Sequence, residues 1–449
     1  MKLFVQSFGC QMNVADSEEM SRPLLSKGLQ PTQDRDSADA ILINTCTVRQ
    51  HAEDKAVSLI GRLRKWRQEK PDRFLIVAGC AAERTKDWLQ KKFPHIDLVV
   101  GAKSIEQYPQ ILEEALQNRF NWTQENKDIW ESSPSLTTNH QSLITAFITI
   151  MRGCNYSCTY CIVPSVRGQE IYRDPETILQ EVRSKVFQGA KEVMLVGQTV
   201  NSYRYTAGVR DQGSGVSKNN QNEDHPSPLT PHPSIDFADL LRMVNEINGL
   251  ERIRFISPHP HYVTPKMIQA MAECEKVCEH LHLPVQSGSD RMLKLMKRNY
   301  TRKTYLERTS DLRSQISDLS LTTDFIVGFP GETEEDFQET LSLVEEADFD
   351  GAYCFKFSPR QGTEAAHLPD PIPEPLIEQR HARLLDLVET KARHKIKNLR
   401  GTTQEILMET PHSGKTRSSQ RVFLQHLGIP GEIRTVQIRG VKDSTLLGE

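Results

Sequence analysis

Three cysteines stand close together near the middle of the chain, at Cys154, Cys158 and Cys161 in the run RGCNYSCTYCIVP. This group, the loop trio, supplies three thiolates with C-x3-C-x2-C spacing, and no other His or Cys lies within ten residues on either side. Three thiolates can hold three corners of a cubane iron–sulfur cluster and leave the fourth iron open to an exogenous ligand. An open position separates a reactive metal site from a closed structural one. A disulfide cluster or a zinc knuckle is the alternative, although zinc prefers a fourth His or Cys.

Tyr160 stands directly before the third of these cysteines and completes the pattern C-x3-C-x-aromatic-C. This pattern resembles the signature of radical S-adenosylmethionine (SAM) enzymes. The resemblance implies that the amino and carboxylate groups of SAM chelate the open iron, and it places Tyr160 among the cofactor-binding residues.

Length and composition favour an intracellular enzyme. A chain of 449 residues accommodates two or three domains with a large core. The start, MKLFVQSFGC, does not have the form of a secretory signal, and the run FLIVAGCAA is far shorter than the ~18 residues of a membrane span. Nine cysteines in this chain indicate reduced thiols in a cytoplasmic compartment. With a net charge of −3, an RNA substrate would have to bind local basic patches.

Three further cysteines, Cys10, Cys46 and Cys80, form a second group that we call the strand-end trio. Each follows a short apolar run, LFVQSFG, AILINT or FLIVAG, and a fourth run, IDLVVG, ends at Gly101. Helix-like stretches lie between the runs, so the order β-α-β-α-β-α-β predicts a parallel sheet. Strands of a parallel sheet end at one edge, where ligands bind. We therefore expect the three thiols to converge; three unrelated buried cysteines are the alternative.

The β/α alternation resumes after Leu143 and predicts a partial (β/α)6 barrel. Its six strand candidates are ITAFITIM, EVMLVGQ, IRFIS, HLHLPVQ, LTTDFIVGFP and GAYCFKFSPR. Such barrels place their chemistry in the loops after the strands, and the loop trio follows the first strand. Polar, glycine-rich sequence follows other strands and marks the barrel mouth as a ligand site. From these strand ends we assign Gln198, Gly328 and Glu332 to cofactor binding, and no catalytic residue beyond the cluster ligands.

The other cysteines and two histidines are weaker candidates. Cys274 and Cys278 have helical spacing in MIQAMAECEKVCEHL, which favours a core face over a metal site. Cys354 lies inside a strand pattern and is expected to pack in the barrel wall. His259 and His261 in SPHPHY are candidate ligands or bases, but a structural role is favoured for both.

Composition divides the chain into four segments. We expect an amino-terminal α/β domain over residues 1–120, a polar connector over 121–143, the barrel over 144–375, and a basic helix with a small β-barrel over 376–449. Within the barrel, residues 205–233 are rich in Gly, Ser, Asn, Asp and Pro and predict a mobile surface insertion.

The carboxyl-terminal segment has the pattern of an RNA-binding module. A basic helix precedes the short strand candidates TQEILMET, RVFLQ and EIRTVQIRGV, which predict a small β-barrel. The basic helix carries Arg380, Arg383, Lys391, Arg393, Lys395, Lys397 and Arg400. After it, Lys415, Arg417 and Arg421 in GKTRSSQR are suited to phosphate contacts. The stretch GRLRKWRQEK and the run KLMKRNYTRK around Arg298 could extend this surface. For any single cation, a solvated face is the alternative.

With both trios, the barrel and the basic tail, the sequence resembles the methylthiotransferase family of radical SAM enzymes over nearly its whole length. That family joins an amino-terminal domain, a radical SAM barrel and a small RNA-binding β-barrel called TRAM. The resemblance implies two 4Fe–4S clusters and SAM as cofactors. The loop trio would hold the SAM-cleaving cluster, and the strand-end trio would hold an auxiliary cluster that carries the sulfur. GCQMN at Cys10 and GQTVNSY at Gly197 resemble the members that make 2-methylthio-N6-isopentenyladenosine in tRNA.

The resemblance also implies a reaction. Reductive cleavage of SAM would give a 5′-deoxyadenosyl radical, which removes the hydrogen at carbon 2 of the N6-isopentenyladenosine 3′ to the anticodon. A second SAM would methylate a sulfur bound on the auxiliary cluster, and the substrate radical would then take up the methylthio group. Partners would be the tRNA anticodon loop and an electron donor such as flavodoxin or ferredoxin, with no membrane and a monomeric chain. The alternatives are a methylthiotransferase for N6-threonylcarbamoyladenosine or a ribosomal protein, and a non-catalytic iron–sulfur RNA-binding regulator.

Overall fold

The computed structural model describes residues 1–48, 50–120, 144–206 and 234–449. These residues divide into two compact units. The amino-terminal unit contains the described part of residues 1–120 together with 153–155 and 161–168, and the carboxyl-terminal unit contains the remainder. The predicted connector 121–143 lies outside the described residues, as does the predicted insertion 205–233 apart from Tyr205 and Thr206.

A five-stranded parallel sheet forms the centre of the amino-terminal unit, with the strand order β2-β1-β3-β4-β5. Its strands are β1 (Lys2–Ser7), β2 (Gln30–Pro31), β3 (Ala40–Thr45), β4 (Phe74–Gly79) and β5 (Leu98–Gly101). The helices that connect or follow them are α1 (Gln11–Ser26), α2 (Gln50–Glu69), α3 (Cys80–Lys92) and α4 (Tyr108–Phe120). The predicted parallel sheet is confirmed, with the short edge strand β2 in addition.

Both faces of this sheet are covered, because every residue of β3 and β4 is buried and all are apolar except Asn44 and Thr45 at the end of β3. Leu42 and Ile76 belong to the core on one face, whereas Ile41 and Leu75 belong to the core on the other. Continuous apolar strands of this kind are typical of parallel sheets with helices on both sides. The polar strand ends are therefore the places where chemistry can occur.

The carboxyl-terminal unit contains the six predicted barrel strands in two parallel three-stranded sheets, ordered β12-β9-β6 and β13-β14-β15. These strands are β6 (Thr145–Thr149), β9 (Glu192–Val196), β12 (Arg252–Phe255), β13 (His280–His282), β14 (Ser320–Val327) and β15 (Gly351–Lys356). An isolated parallel bridge between Ile253 and Val277 continues the pairing from β12 towards β13. The predicted partial (β/α)6 barrel is confirmed.

Short antiparallel pairs and helices complete this unit. The pairs are β7 (Met151–Arg152) with β8 (Ile171–Tyr172), and β10 (Arg204–Thr206) with β11 (Ser234–Asp236). The helices are α6 (Pro175–Phe187), α7 (Phe237–Asn245), α8 (Pro265–Glu273), α9 (Asp290–Leu295), α10 (Arg302–Gln315), α11 (Glu334–Ala347) and α12 (Glu374–Asn398), while α5 (Val163–Arg167) belongs to the amino-terminal unit. At the start of α11, Thr333 and Asp336 form a reciprocal capping box.

The carboxyl-terminal strands close into a small barrel with the order β16-β17-β18-β20-β19. They are β16 (Thr403–Thr410), β17 (Ser413–Thr416), β18 (Arg421–Leu424), β19 (Ile433–Lys442) and β20 (Thr445–Gly448). Two arginines of the larger barrel hold this module in place: Arg252 donates to the carbonyl oxygen of Lys415 at 2.8 Å, and Arg254 donates to that of Thr416 at 2.8 Å. The predicted β-barrel is confirmed, although β17 and β20 were missed.

The predicted helical pairing of Cys274 with Cys278 is wrong, because α8 ends at Glu273 and Cys278 follows a turn. Both side chains are nevertheless buried in the core, as expected for structural cysteines. None of the helices in the described part of the chain has the length and apolar character needed to cross a bilayer.

Candidate metal centres

The strand-end trio lies at one edge of the amino-terminal sheet. Cys46 and Cys80 each follow directly after their strands, β3 and β4, whose last residues Thr45 and Gly79 are paired in register. Cys10 precedes α1 after the neighbouring strand β1. Burial is the largest effect on the pKa of Cys80 and raises it, and Arg167 opposes that rise. The Cys46 thiolate is close enough to raise the pKa of Cys80 by a smaller amount. The expected convergence of three strand ends is therefore present.

A buried polar network fixes the spacing of these strand ends. The Asn13 side chain donates to Asn44 Oδ1 at 2.9 Å and to the Thr45 carbonyl oxygen at 3.2 Å, and it accepts from Cys10 Sγ at 3.3 Å. The Asn44 amide donates back to the Asn13 carbonyl oxygen at 3.0 Å. Both asparagines are fully buried, so each unmade hydrogen bond would be costly. The asparagine of the GCQMN motif thus connects the loop at Cys10 to the strand before Cys46.

Glycine at position 9 lets the first loop approach the second. Gly9 has a φ of +136°, and a Cβ atom there would lie 2.5 Å from Cys46 Cβ and 3.1 Å from Cys46 Sγ. Only glycine fits such a close approach without displacing the cysteine. The backbone beside Cys10 is therefore packed directly against Cys46.

A helix from far along the chain completes the surroundings of the strand-end trio. The segment from Cys161 to Gly168 belongs to the amino-terminal unit and contains α5. Ile162 and Val166 are buried in the same core as Cys80. Their packing places Arg167, at the last position of α5, in the buried region around the thiols.

Arg167 contacts the trio directly. Its Nε donates to Cys80 Sγ at 3.2 Å, and its Nη2 donates to Asp16 Oδ2 at 2.7 Å. Burial raises the pKa of Cys80 to about 11, and Arg167 opposes that rise. Burial also disfavours the charged form of Arg167, but the Asp16 carboxylate, Cys80 and Cys10 raise the pKa of Arg167 above its usual value. A buried, always charged guanidinium thus lies where thiolates would be metal ligands. No local pattern around Arg167 indicates this role.

The loop trio is held on a different kind of scaffold. Gly153 has a φ of +79° and turns the chain before Cys154, whose N–H donates to the Gly168 carbonyl oxygen at 3.0 Å. At the middle of the loop, Thr159 donates through its N–H to the Met296 carbonyl oxygen at 3.2 Å and accepts from the Ala365 N–H at 2.8 Å. Backbone bonds to distant elements therefore fix the segment between the second and third cysteines.

Arg298 is the cation next to this trio. Its Nη1 lies 3.4 Å from both Cys158 Sγ and the Tyr160 hydroxyl oxygen, and its Nε donates to the Tyr300 hydroxyl at 2.8 Å. Burial lowers the pKa of Arg298, but Tyr160, Tyr300 and Cys158 raise it well above its usual value. The expectation that the run around Arg298 extends an RNA-binding surface is wrong for Arg298 itself, because its guanidinium is directed at the cysteine loop.

His259 packs on the same loop. Its ring stacks on Tyr156 with centroids 4.1 Å apart, and Nδ1 accepts from the His261 N–H at 3.2 Å. Burial, with smaller effects of Arg298 and His261, lowers the pKa of His259 to about 2. The imidazole is therefore neutral at physiological pH and serves to position the aromatic residue between the first two cysteines.

The donor sets of both trios fit iron–sulfur clusters. In the described part of the chain, no three His, Cys, Asp or Glu side chains are close enough to share one metal ion. A cubane binds each thiolate through a different iron, so its ligands need not meet at one point. Three thiols beside a buried guanidinium suit a cluster of negative charge. Cys10, Cys46 and Cys80 would hold one such group, and Cys154, Cys158 and Cys161 the other.

The other residues assigned to cofactor binding differ in their surroundings. Gln198 follows β9 and is half-buried, with its N–H 3.2 Å from Met151 Sδ. Glu332 accepts from the Gly328 N–H at 2.9 Å and from Arg380 Nη1 at 2.9 Å. Burial raises the pKa of the Glu332 carboxyl group, although both of these hydrogen bonds lower it. In the structure this carboxylate holds the turn after β14. Its role towards a cofactor, like that of Gln198, Gly328 and Tyr160, stays a prediction.

Two arginines of the basic carboxyl-terminal segment have protein partners. Arg380 on α12 is buried and donates to Glu332. Arg417 donates to Glu279 at 2.7 Å and to the Val277 carbonyl oxygen at 2.7 Å, and so attaches the small barrel to the larger one. The predicted phosphate contact is wrong for Arg417, because a charge count along the sequence does not show which cations face carboxylates inside the fold.

One face of the sheet β13-β14-β15 remains open. Leu321, Phe325 and neighbours are buried in the barrel core, whereas Asp324 points to the other face. On that face Tyr353 is 63 % exposed and Phe355 is 38 % exposed, with ring centroids 6.4 Å apart. Parallel sheets are ordinarily covered on both faces, so an exposed aromatic pair here indicates a binding surface.

The open face also carries a polar dyad. His282 Nε2 lies 3.2 Å from Asp324 Oδ1, and His282 Nδ1 lies 3.0 Å from the Thr322 hydroxyl oxygen. The His282 ring packs edge-on against Tyr353, with centroids 5.8 Å apart. Flat aromatic surface and directional hydrogen-bonding groups therefore occur together, as a planar polar ligand requires.

Comparison with family models agrees with this division of the chain. Residues 148–344 match the Radical SAM superfamily, and residues 2–101 match the Uncharacterized protein family UPF0004. The fold and the loop trio thus define a radical SAM protein. Among solved structures, the chain resembles the radical S-adenosylmethionine methyltransferase TsrM from Kitasatospora setae, with a TM-score of 0.56 and 12 % identity over 82 % of this chain and 77 % of that one. That likeness concerns the fold alone.

Curated relatives match the chain from end to end. The tRNA-2-methylthio-N(6)-dimethylallyladenosine synthase of Clostridium novyi is 40 % identical over 100 % of this chain and 96 % of its own. The enzyme of the same name from Clostridium perfringens is 39 % identical over 100 % of this chain and 97 % of its own. The chain belongs to the family of tRNA-2-methylthio-N(6)-dimethylallyladenosine synthases. The resemblance seen in the sequence is confirmed.

Proposed function

We propose that the chain methylthiolates carbon 2 of N6-isopentenyladenosine, the nucleoside 3′-adjacent to the anticodon in tRNA, with two 4Fe–4S clusters and SAM as cofactors. The observation that carries this proposal is the convergence of Cys10, Cys46 and Cys80 at one sheet edge. SAM cleavage alone requires only the loop trio, so a second thiol trio calls for a second function. Sulfur delivery is the function that the relatives' name supports.

The chain's own residues would bind, orient and shield the reacting groups. When bound, the two clusters supply the electron for SAM cleavage and the sulfur for transfer. Arg298 places a positive charge beside Cys158 and would stabilise the reduced, more negative form of a cluster held there. Tyr156 and His259 cover the loop between the first two cysteines with stacked rings, which would limit water access to that side.

The open sheet face is the proposed docking surface for the adenine base. Proteins recognise single-stranded RNA by stacking unstacked bases on aromatic side chains and by hydrogen bonds to base edges. Tyr353 and Phe355 offer the aromatic surface, and His282 with Asp324 offers the hydrogen-bonding groups. A Tyr353→Ala variant should raise the KM for tRNA about tenfold, since base stacking contributes ~1–3 kcal/mol. Tyr353→Phe should keep most of the affinity.

The remaining partners follow from this reaction. The tRNA anticodon loop would bind as substrate, and an electron donor such as flavodoxin or ferredoxin would reduce the clusters. Basic residues outside the internal ion pairs, such as the exposed Arg421 on the small barrel, would contact RNA phosphates. We propose a monomeric chain acting in the cytoplasm.

The test uses the full chain, loaded with iron and sulfide under anaerobic conditions and supplied with SAM, a reductant and tRNA that lacks the methylthio group. Mass spectrometry of the digested tRNA should show 2-methylthio-N6-isopentenyladenosine. Cys46→Ala should abolish that product, whereas Cys354→Ala, at a half-buried cysteine in the barrel wall, should retain it. Product on N6-threonylcarbamoyladenosine or on a ribosomal protein instead would contradict the substrate assignment. Absence of 5′-deoxyadenosine would favour a non-catalytic regulator.

A further inference from the structure

One buried donor at the strand-end trio lacks an acceptor. Arg167 uses Nε on Cys80 and Nη2 on Asp16, but its Nη1 is buried and has no hydrogen-bond partner among the described residues. The guanidinium is always charged and can only donate. A buried cationic donor without an acceptor is costly, and such a group in a native structure calls for an acceptor that binds there.

The surroundings restrict what that acceptor can be. Arg167 lies among thiols, since Cys80 is in contact and Cys10 is close enough to raise the pKa of the guanidinium. Ile162 and Val166, on the same segment, are buried in the apolar core. A water molecule needs two to four polar partners to be held in a buried position. An anion bound next to the thiolates' metal group would satisfy Nη1 through charge as well as geometry.

We propose that Arg167 is a positioning residue whose Nη1 holds an anionic sulfur species, hydrosulfide or an alkanethiolate, at the strand-end trio. The inference rests on the proposed function, in which this trio carries the sulfur to be transferred. It goes further by naming the side chain that retains the sulfur before transfer. Arg167 acts through hydrogen bonding and charge, and it forms no bond to the sulfur.

The test needs neither tRNA nor SAM cleavage. The full chain carrying Cys154→Ala, Cys158→Ala and Cys161→Ala keeps only the strand-end trio, and it is loaded with iron and sulfide. Sodium hydrosulfide and sodium methanethiolate are then titrated against the reduced protein, and binding is followed by the change in the electron paramagnetic resonance spectrum. Adding Arg167→Gln should lower the binding affinity for both anions about tenfold or more, which is the usual effect of losing one charge-assisted hydrogen bond. Arg167→Lys keeps the charge but loses the planar guanidinium fork, so its anion affinity should lie between those of the native Arg167 and Arg167→Gln proteins.

Asp16→Asn is the matched control, because it alters the same ion pair from the other side. It leaves Nη1 in place and removes the charge that neutralises the guanidinium, so anion affinity should stay equal or increase. A purely structural role for the pair predicts instead that both variants lose affinity together. That result, or unchanged affinity in Arg167→Gln, would overturn the inference. An equal response to a neutral thioether would point to water at Nη1.

A measurement on the protein with native Arg167 covers the case in which Arg167→Gln fails to assemble a cluster. Protein grown with guanidino-15N arginine should show an added nitrogen hyperfine coupling when hydrosulfide binds; an unchanged coupling pattern contradicts the inference. Different experimental results would reject the inference and the proposed function. Lack of tRNA methylthiolation with Arg167-dependent hydrosulfide binding rejects only the function, whereas normal methylthiolation with Arg167-independent binding rejects only the inference.

Discussion

The strand-end trio and the loop trio present the same three thiols in opposite ways. Cys10, Cys46 and Cys80 are 36 and 34 residues apart and meet because neighbouring parallel strands end together. The loop trio spans eight residues and is fixed by backbone bonds from its loop to distant elements. The first site is formed by the sheet, and the second by an anchored loop.

The cations beside the two trios differ as well. Arg167 is paired with Asp16 at 2.7 Å, so the charge near Cys80 is largely balanced. Arg298, beside Cys158, has tyrosine hydroxyls as neighbours and forms no ion pair with a carboxylate among the described residues. A net positive charge favours the reduced state of a cluster, whereas a balanced pair favours neither state. The difference fits an electron-donating site at the loop trio and a storage site at the strand-end trio.

Breaking the buried asparagine network should have the largest effect on the strand-end trio while the loop trio keeps its activity. Asn13→Ala leaves Asn44 and the Thr45 carbonyl group without their partner, at about 1–3 kcal/mol for each buried polar group. The strand-end iron should be lost and methylthiolation should fall below about 1 % of the parent rate, more than ~2.7 kcal/mol in barrier terms. SAM cleavage should persist, as measured by 5′-deoxyadenosine. Asn299→Ala, on a half-exposed contact to Tyr156, is the control and should keep all iron.

After the metal is removed, the cysteines within each trio should differ in their rates of alkylation. After anaerobic chelation, Cys10 should be alkylated by iodoacetamide at least about tenfold faster than Cys46 and Cys80, because it is exposed while they are buried. In the loop trio, Cys158 should be the slowest for the same reason. Peptide mass spectrometry gives the rates. Equal rates for all three strand-end cysteines would show that they are not held at the sheet edge.

Arg298→Gln should shift the reduction potential of the loop-trio cluster. Loss of the positive charge beside Cys158 makes reduction less favourable, by on the order of 60 mV, which is tenfold for a one-electron couple. Redox titration of the protein that carries Cys10→Ala, so that only the loop trio is loaded, provides the measurement. Arg302→Gln, which removes a surface ion pair with Glu346, should leave the potential unchanged. A positive shift in Arg298→Gln would reverse the assigned role of this charge.

A further prediction concerns the pH dependence of stability. The pKa of His259 is lowered to about 2 from 6.5, mainly by burial, so the unfolded chain binds the proton first as the pH falls. Its contribution to stability is therefore complete above pH 6.5 and lost progressively below it, by up to about 1.4 kcal/mol per pH unit. His259→Phe keeps the stack on Tyr156 and should flatten the pH dependence of the free energy of unfolding between pH 6.5 and about 4. Parallel pH profiles for parent and variant would contradict this account.

Local sequence patterns predicted the elements and the convergence of the strand-end cysteines, but not the side chains around the thiols. The positions of Cys10, Cys46 and Cys80 after apolar runs predicted their convergence, because strand direction and sheet edges follow from chain order. Arg167 and Arg298 were missed as neighbours of thiols, since their contacts join positions 87 and 140 residues apart. Strand β17, with the sequence SGKT, has no apolar alternation that would predict a strand. Such features depend on tertiary packing, which the hydrophobic periodicity of a sequence does not encode.

The most direct test of the account compares two cysteine variants of the fully loaded protein. Mössbauer spectroscopy should count about eight irons in the parent, as expected for two cubane clusters, and about four in both Cys10→Ala and Cys158→Ala. With SAM and reductant, Cys10→Ala should still form 5′-deoxyadenosine without methylthiolating tRNA, whereas Cys158→Ala should form none. About four irons in the parent, or SAM cleavage that depends equally on both cysteines, would contradict two trios with separate roles.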